Sequence, residues 1–282
     1  MNIKQSFAIG FTASLFLSLS LTSCKKDSNS DSDAGPAQDN SVSESNYNDV
    51  NTMVDGAYSA GTNYNFRAST GARQESIMSG CTTVTVDSVS TARKITIDFG
   101  TTNCMGLDGR NRRGKINATW SGKFRDSNTV ISITFDNYFV NDNKIAGTHK
   151  TTNMGRNAAG HQVIKTEVSG QVTRADSSGT IFWSSVRFRE VLEGASTPLN
   201  FLDDVYSITG KASGTNKDGK SYTAVITQAL IRKMNCRWFE SGKVDITPVG
   251  GNATRTLDYG STGCDANATV TIGGHTTDVV LP

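Results

Sequence analysis

The segment from Ile131 to Phe135, Ile-Ser-Ile-Thr-Phe, alternates strictly between apolar and hydroxyl-bearing side chains. Successive side chains of a β-strand point to opposite faces of its sheet, so this alternation predicts a strand with one apolar face and one wet face. Strands of this kind pair antiparallel, because parallel strands are usually covered on both faces. The segment therefore predicts a half-buried antiparallel strand.

The same alternation recurs along most of the chain from Ile77 onward. Its apolar positions are Ile95, Ile97 and Phe99; Ile116, Ala118, Trp120 and Phe124; Ile164, Val168 and Val172; Phe182, Val186, Phe188 and Leu192; and Tyr222, Ala224, Ile226 and Leu230. Hairpin-type turns separate the runs at Asn141-Asp142-Asn143, Asp218-Gly219, Gly250-Gly251 and Gly273-Gly274. The fold class we predict is all-β, an antiparallel meander of about a dozen strands.

One short N-terminal helix is predicted before these strands. Val50, Met53, Val54, Ala57 and Tyr58 have the spacing of one helical face, and the pattern ends before residue 61. A single short helix cannot cover a dozen half-apolar strands. We therefore expect the sheet to fold onto itself as a sandwich or to curl into a partial barrel.

The composition excludes some classes of partner. The 282 residues include 28 Lys and Arg against 26 Asp and Glu, so the net charge is +2. This balance lacks the basic surface that phosphate neutralisation requires, and we expect no nucleic-acid partner. With 19% charged residues and only 4 Pro, the composition favours strands and polar turns over long charged helices. We predict one β-rich domain over residues 47–282.

The N-terminus has the features of a lipoprotein signal peptide over residues 1–23. Lys4 is followed by an uncharged apolar run from Phe7 to Leu21, which is too short to span a bilayer comfortably. The run ends in Leu21-Thr22-Ser23-Cys24, which resembles the bacterial lipobox. The sequence therefore predicts lipidation at Cys24 and a membrane partner through that anchor; an ordinary cleaved signal or a buried helix is the alternative.

Residues 24–46 are rich in Ser, Asp and Asn and nearly free of apolar side chains. Such a segment buries too little to offset its ordering entropy, so the sequence predicts a flexible tether. Its start, Cys24-Lys25-Lys26-Asp27, partly resembles the signal that sends lipoproteins of the Bacteroidota to the outer face of the outer membrane. We expect a lipid-anchored outer-membrane protein, on the surface-exposed or the periplasmic face.

An internal repeat links the two halves of the domain, over about 81–120 and 236–272. Residues 97–104, IDFGTTNC, match residues 257–264, LDYGSTGC. Each copy has an earlier cysteine, Cys81 or Cys236, and each is followed by Asn-Ala-Thr, read as the opening of a strand. The repeated Asp98 and Asp258 precede a glycine and are expected to hydrogen-bond a turn, with calcium ligation as the alternative.

The cysteine spacing suggests disulfides across hairpins. The midpoint of Cys236 and Cys264 is residue 250, within the Gly250-Gly251 turn, and that of Cys81 and Cys104 falls between residues 92 and 93. Opposed residues of antiparallel strands are close enough for a disulfide. Of the three pairings that four cysteines allow, we predict Cys81–Cys104 and Cys236–Cys264; free thiols or a metal site are the alternatives.

The chain resembles a group of uncharacterised lipoproteins of the Bacteroidota. The matching text covers most of residues 47–282 and is clearest at Asp108-Gly109-Arg110, Gly114-Lys115-Ile116, the segment from Trp120 to Asp126, the segment from Thr134 to Asn141, and Gly263-Cys264-Asp265. The resemblance implies a class and a location, and it implies no activity.

No catalytic, cofactor-binding or metal-binding residues are predicted. The three histidines, His149, His161 and His275, have no ligand spacing and are read as surface or turn residues. Carboxylates are plentiful, at Asp136, Asp142, Glu190, Glu193, Asp203 and Asp204. The leading hypothesis is a non-enzymatic binding, adhesion or structural module; a carrier of a hydrophobic ligand and a carboxylate-dependent glycoside hydrolase are the alternatives.

Overall fold

The computed structural model describes residues 33–70, 80–87, 93–122, 126–197, 200–251, 253–261 and 263–282, without the side chains of residues 59–70 and 201. The signal segment, Cys24, Phe124 and Asn252 lie outside the described residues. Residues Asp31–Pro282 form one compact unit.

In the described residues, fourteen antiparallel strands form a single sheet. They are Thr83–Asp87 (β1), Arg93–Asp98 (β2), Cys104–Met105 (β3), Asn111–Trp120 (β4), Val130–Val140 (β5), Asn143–Arg156 (β6), Gln162–Thr173 (β7), Thr180–Glu193 (β8), Val205–Thr215 (β9), Ser221–Lys233 (β10), Ser241–Pro248 (β11), Arg255–Asp258 (β12), Asn267–Ile272 (β13) and His275–Val280 (β14). Each strand pairs with the next along the chain, except that β2 pairs with β4 and the short β3 joins β4 beside it. The predicted all-β meander is confirmed, and the sheet is open.

One α-helix precedes the strands, as predicted, but it is much longer than the sequence pattern indicates. Helix α1 spans Gly35–Thr70, 36 residues. The side chain of Asp33 accepts a hydrogen bond from the backbone N–H of Gly35 at 2.9 Å, and Pro36 occupies the first turn, where its missing N–H costs nothing. In the described part of the chain, no helix combines the length and apolar character needed to cross a membrane.

The part of the helix whose side chains the structure describes, up to Tyr58, is enclosed by the sheet. Asp39, Glu44 and Asp49 follow one another at steps of five residues, and each step turns the side-chain direction by roughly 140° around the helix axis. All three are nonetheless buried, as are the apolar residues between them. A helix that is buried in every direction must be surrounded, so the strands curve around α1 as one sheet instead of packing as two.

The prediction of a flexible tether is therefore wrong for residues 35–46. This segment is helical, and its side chains are mostly buried despite their polarity. The physical reason is that the inner face of the sheet supplies hydrogen-bond and ion-pair partners for the polar side chains, so they are buried at little cost.

Most of the predicted apolar positions face the helix. Ile95, Ile97, Ile116, Ile133 and Leu230 are almost fully buried and form one continuous core with the apolar residues of α1. On every described strand except β8, the other predicted core positions also lie on the face that points to the core.

On β8 the prediction chose the wrong face. Phe182 is 53% exposed, and Phe188 and Leu192 are also exposed, whereas Arg187 and Arg189 are buried. A shift of one residue reverses the face of every side chain in a strand. The inner face of β8 carries charge because the acidic side chains of α1 lie opposite it.

Candidate functional site

The densest group of buried charges lies where α1 crosses the start of β4. Asp49 on the helix receives two hydrogen bonds from Arg112, from Nε at 3.0 Å and from Nη2 at 2.6 Å. Arg110 approaches the same carboxylate at 3.1 Å, and Asp108 accepts two further bonds from Arg112. Arg112 is 1% exposed and Asp49 is 2% exposed. Bidentate geometry of this kind is what fixes a buried ion pair in one orientation.

The charges of this cluster hold one another ionised. Burial alone would raise the pKa of Asp49, but the positive charges of Arg112 and Arg110 outweigh it and lower the pKa to about 2. Burial would likewise lower the pKa of Arg112, but Asp49 and Asp108 raise it above its ordinary value. Both shifts favour the charged forms of the two partners.

Two more ion pairs join α1 to β8. Arg187 contacts Glu44 through Nε at 3.0 Å and through Nη2 at 2.5 Å, with both side chains nearly fully buried. Further along the helix, the carboxylate of Asp55 lies 3.6 Å from the guanidinium group of Arg189. Each of the buried arginines of β8 thus faces one acidic residue of the helix.

Other polar side chains of α1 also have partners in the strands or in their turns. The indole N–H of Trp183 donates to Asn40 at 3.0 Å, and Asp39 accepts the backbone N–H of Lys217 at 2.9 Å. Tyr47 donates to the backbone carbonyl of Ala146 at 2.8 Å and stacks on the Trp183 ring at 5.5 Å between centroids. The polar side chains of the helix therefore locate it against specific strands.

Tyr47 fits only because Gly170 leaves room for its ring. A Cβ at Gly170 would stand 1.9 Å from the Tyr47 hydroxyl oxygen, far inside van der Waals contact. Gly147 lies opposite Gly170 on β6, with φ of +115°, and a Cβ there would meet the backbone of β7. Gly170 thus leaves the space that the Tyr47 ring of the helix occupies, whereas Gly147 allows the close approach of β6 to β7.

His149 is buried, so its interpretation as a surface or turn residue is wrong. It is 1% exposed on the inner face of β6, and its Nε2–H donates to Asn51 of α1 at 3.0 Å. The sequence signal that could have found this role is strand alternation, which places His149 on the same face of β6 as the buried Ile145 and Thr151. His161 lies beside a turn and pairs with Glu190 at 2.6 Å, and His275 is exposed at the start of β14.

The burial of His149 predicts a pH dependence of stability. Burial, reinforced by the positive charge of Arg189, lowers its pKa from 6.5 to about 3. Between those values the unfolded chain binds a proton that the folded chain does not, so the free energy of unfolding falls as the pH falls. From pH 7 to pH 5 we expect the wild type to lose about 2 kcal/mol more than His149→Gln, which keeps a donor to Asn51.

Urea unfolding at the two pH values measures this difference, and His275→Gln is the matched control. The control should follow the wild type, because its side chain is exposed. An unchanged gap between wild type and His149→Gln from pH 7 to pH 5 would contradict the assignment.

The cysteines are joined in the two pairs that the sequence predicts. Cys81 bonds to Cys104, and Cys236 bonds to Cys264, with Cα separations of 5.9 and 5.6 Å. The β11–β12 hairpin turns at Gly250-Gly251, as its midpoint indicates. Each bond closes a loop of 23 or 28 residues, which stabilises the fold by about 3.5 kcal/mol in the loop-entropy description.

The two copies of the repeat form the same local structure near opposite ends of the sheet. Asp98 accepts the backbone N–H of Gly100 at 2.9 Å and pairs with Lys115; Asp258 does the same with Gly260 and Lys243. These carboxylates thus have the turn role that the sequence predicts. The prediction that Asn-Ala-Thr begins a strand is confirmed at Asn267, the first residue of β13. It is wrong at Asn117, which lies within β4.

Four of the six carboxylates considered for a hydrolase are engaged in local contacts. Glu190 bonds His161 and Asn157, Asp204 accepts from the Tyr206 hydroxyl at 2.8 Å, and Asp203 accepts from Thr197. Asp142, in the β5–β6 turn, pairs with Arg113. Within the described ranges, no group of three or more His, Cys, Asp or Glu side chains has the arrangement of a metal site.

The buried arginines are the functional residues that sequence reasoning missed. Arg110, Arg112, Arg187, Arg189 and Arg232 are all nearly inaccessible to solvent. The sequence signal that could have found them is strand alternation, since Arg187 and Arg189 occupy the same face of β8 as Trp183 and Val191.

Comparison of the chain with family models, with curated proteins and with solved structures found no match.

Proposed function

We propose that this protein is an envelope lipoprotein, anchored to the outer membrane through acylated Cys24, whose β-domain acts as a non-enzymatic binding, adhesion or structural module. The observation that carries the proposal is the ion-paired interior: the acidic residues Glu44, Asp49 and Asp55 of α1 are engaged by arginines of the sheet. These charged groups have a structural role, because they hold the helix in place. Recognition of a partner would therefore use the outer surface and the remaining clefts.

Two further observations agree with a location in the envelope. The two disulfides are bonds that persist in oxidising compartments such as the periplasm and the cell surface. Residues 25–34 separate the predicted acylation site from the start of α1. A chain of about ten residues spans at most about 35 Å, so the anchored domain would stay close to the membrane.

The interior also bears on the alternative of a hydrophobic-ligand carrier. A carrier of the kind that the sequence allows needs an apolar cavity inside the curled sheet. In the described residues α1 occupies that space and contributes Tyr47, Val50 and Met53 to the core. An apolar ligand would have to displace the helix, which would separate Arg187 from Glu44 and Arg112 from Asp49. The non-enzymatic module without such a cavity is therefore the function we favour.

Labelling with radioactive palmitate tests the anchor. Cells that produce the full-length wild type should incorporate label into the protein, and Cys24→Ala should reduce the label to background, because the thiol that carries the acyl chain is gone. Ser23→Ala is the matched control, since it keeps a small residue before the cysteine and should still be labelled.

An unlabelled wild type, or label that persists in Cys24→Ala, would contradict the proposal. Protease treatment of the same intact cells separates the two faces of the outer membrane, since degradation is expected for the surface-exposed face and protection for the periplasmic face.

A further inference from the structure

A half-open cleft lies beside the Asp49 cluster and shares Asp49 and Asp108 with it. Its volume is about 270 Å³, close to the smallest pockets that bind small molecules. Its polar lining comes from Asp49 and Thr52 of α1 and from Asp108, Arg232 and Arg237. Leu107, Leu202 and Met234 add apolar surface at the same cleft.

The charges around this cleft do not balance. Arg110, Arg112, Arg232 and Arg237 lie close enough to interact electrostatically with the two carboxylates Asp49 and Asp108. Both carboxylates are already bonded by Arg112 or Arg110. Glu240, close in sequence to Arg237, pairs with Lys233 at 3.0 Å. Two positive charges, those of Arg232 and Arg237, thus have no carboxylate partner in the described part of the chain.

Both arginines also have buried donors without an acceptor. Arg232 is 7% exposed, and its Nε–H has no hydrogen-bond partner among the described residues; the Nε–H of Arg237 is likewise without one. Nη1 of Arg232 donates to the backbone carbonyl of Arg237, and the Arg232 guanidinium group lies 5.9 Å from the centroid of the Phe239 ring; neither contact supplies a negative charge. Unpaired donors and unpaired charge at one buried site are costly, and an anion would satisfy both.

The pKa shifts of the two arginines agree with positive charges that lack a negative partner. Burial, together with repulsion from Arg110, lowers the pKa of Arg232 to about 10. The pKa of Arg237 is lowered for the same two reasons. A guanidinium group with a satisfied counter-charge has the opposite shift, as Arg112 illustrates in the same cluster.

We propose that this cleft binds the oxyanion group of a small ligand, a carboxylate or a phosphate, between Arg232 and Arg237. Guanidinium groups match both anions through paired N–H donors, and the apolar residues of the cleft suit a short carbon moiety attached to the anion. The inference rests on the proposed role as a binding module and names the ligand class. Binding is measured on purified protein, so its outcome is independent of acylation at Cys24.

The experiment is isothermal titration of the full-length chain in detergent, with inorganic phosphate, glucuronate and neutral glucose as the three probes. We expect saturable binding of phosphate or glucuronate and none of glucose. Arg237→Gln should weaken that binding at least tenfold, and Lys211→Gln, which removes a positive charge from the outer face of β9, should leave it unchanged.

Arg232→Met supplies a second variant. It removes the buried charge but keeps much of the apolar bulk, so we expect it to abolish binding without lowering the melting temperature. If Arg232→Met fails to fold, Arg237→Gln decides the outcome. The proposal is overturned if neither anion binds the wild type, or if binding in the folded arginine variants equals that in Lys211→Gln.

Discussion

Asp49→Asn is expected to destabilise the protein by about 3–5 kcal/mol, because it removes the negative charge that two buried arginines share. Arg112 loses the partner of its Nε and Nη2 groups, and Arg110 loses its contact at 3.1 Å. Asparagine has nearly the same size as aspartate, so packing is preserved and the change isolates the charge. Asp108 remains beside Arg112 but cannot compensate both arginines.

Urea unfolding followed by circular dichroism measures this loss, and the melting temperature should fall by roughly 10 °C. Glu167→Gln is the matched control, since it removes a carboxylate that pairs with Lys165 at 2.8 Å on the outer face of β7. A surface pair of this type contributes less than about 1 kcal/mol. Equal stability of the two variants would show that the buried cluster does not hold the helix.

The strands could be predicted from the sequence because alternation reports which face is buried. Ile95, Ile97, Ile131 and Ile133 all face the core, as their spacing indicates. The Cys236–Cys264 disulfide follows from the same geometry, since the register of the β11–β12 hairpin sets these two residues nearly opposite each other. The Cys81–Cys104 pair is also as predicted, but Cys104 lies on β3, beside β4, and not on β2 opposite Cys81. Both patterns are local or nearly local, and a single sequence contains them.

The helix could not be predicted in full, because its burial depends on partners far away in sequence. Glu44 lies 143 residues from Arg187, and Asp49 lies 63 residues from Arg112. Without those arginines, the segment reads as polar and disordered, as composition alone suggests. Polarity predicts exposure only where no partner is available.

The same dependence explains the error on β8. The sequence offers two faces, one with Phe182 and Phe188 and one with Trp183, Arg187 and Arg189, and hydrophobicity selects the first. The structure selects the second because Glu44 and Asp55 of α1 require the arginines. The sequence does contain a signal for this choice: the helix carries acidic residues, and two arginines lie on the same face of one strand.

The position of α1 inside the sheet is the claim on which the architecture and the favoured function both depend. Hydrogen–deuterium exchange of the backbone amides from Ser41 to Val54 measures it directly. A helix enclosed by strands can exchange only when the surrounding structure opens, whereas a tether exchanges freely.

The enclosed helix predicts that these amides exchange at least about 10³-fold more slowly than an unstructured peptide, which corresponds to an opening free energy of about 4 kcal/mol. Their protection should match that of the amides of β7 and β8, while the exposed turn at Asp176–Ser178 exchanges fast and serves as the internal reference. Exchange of Ser41 to Val54 at the rate of that turn would contradict the enclosed helix.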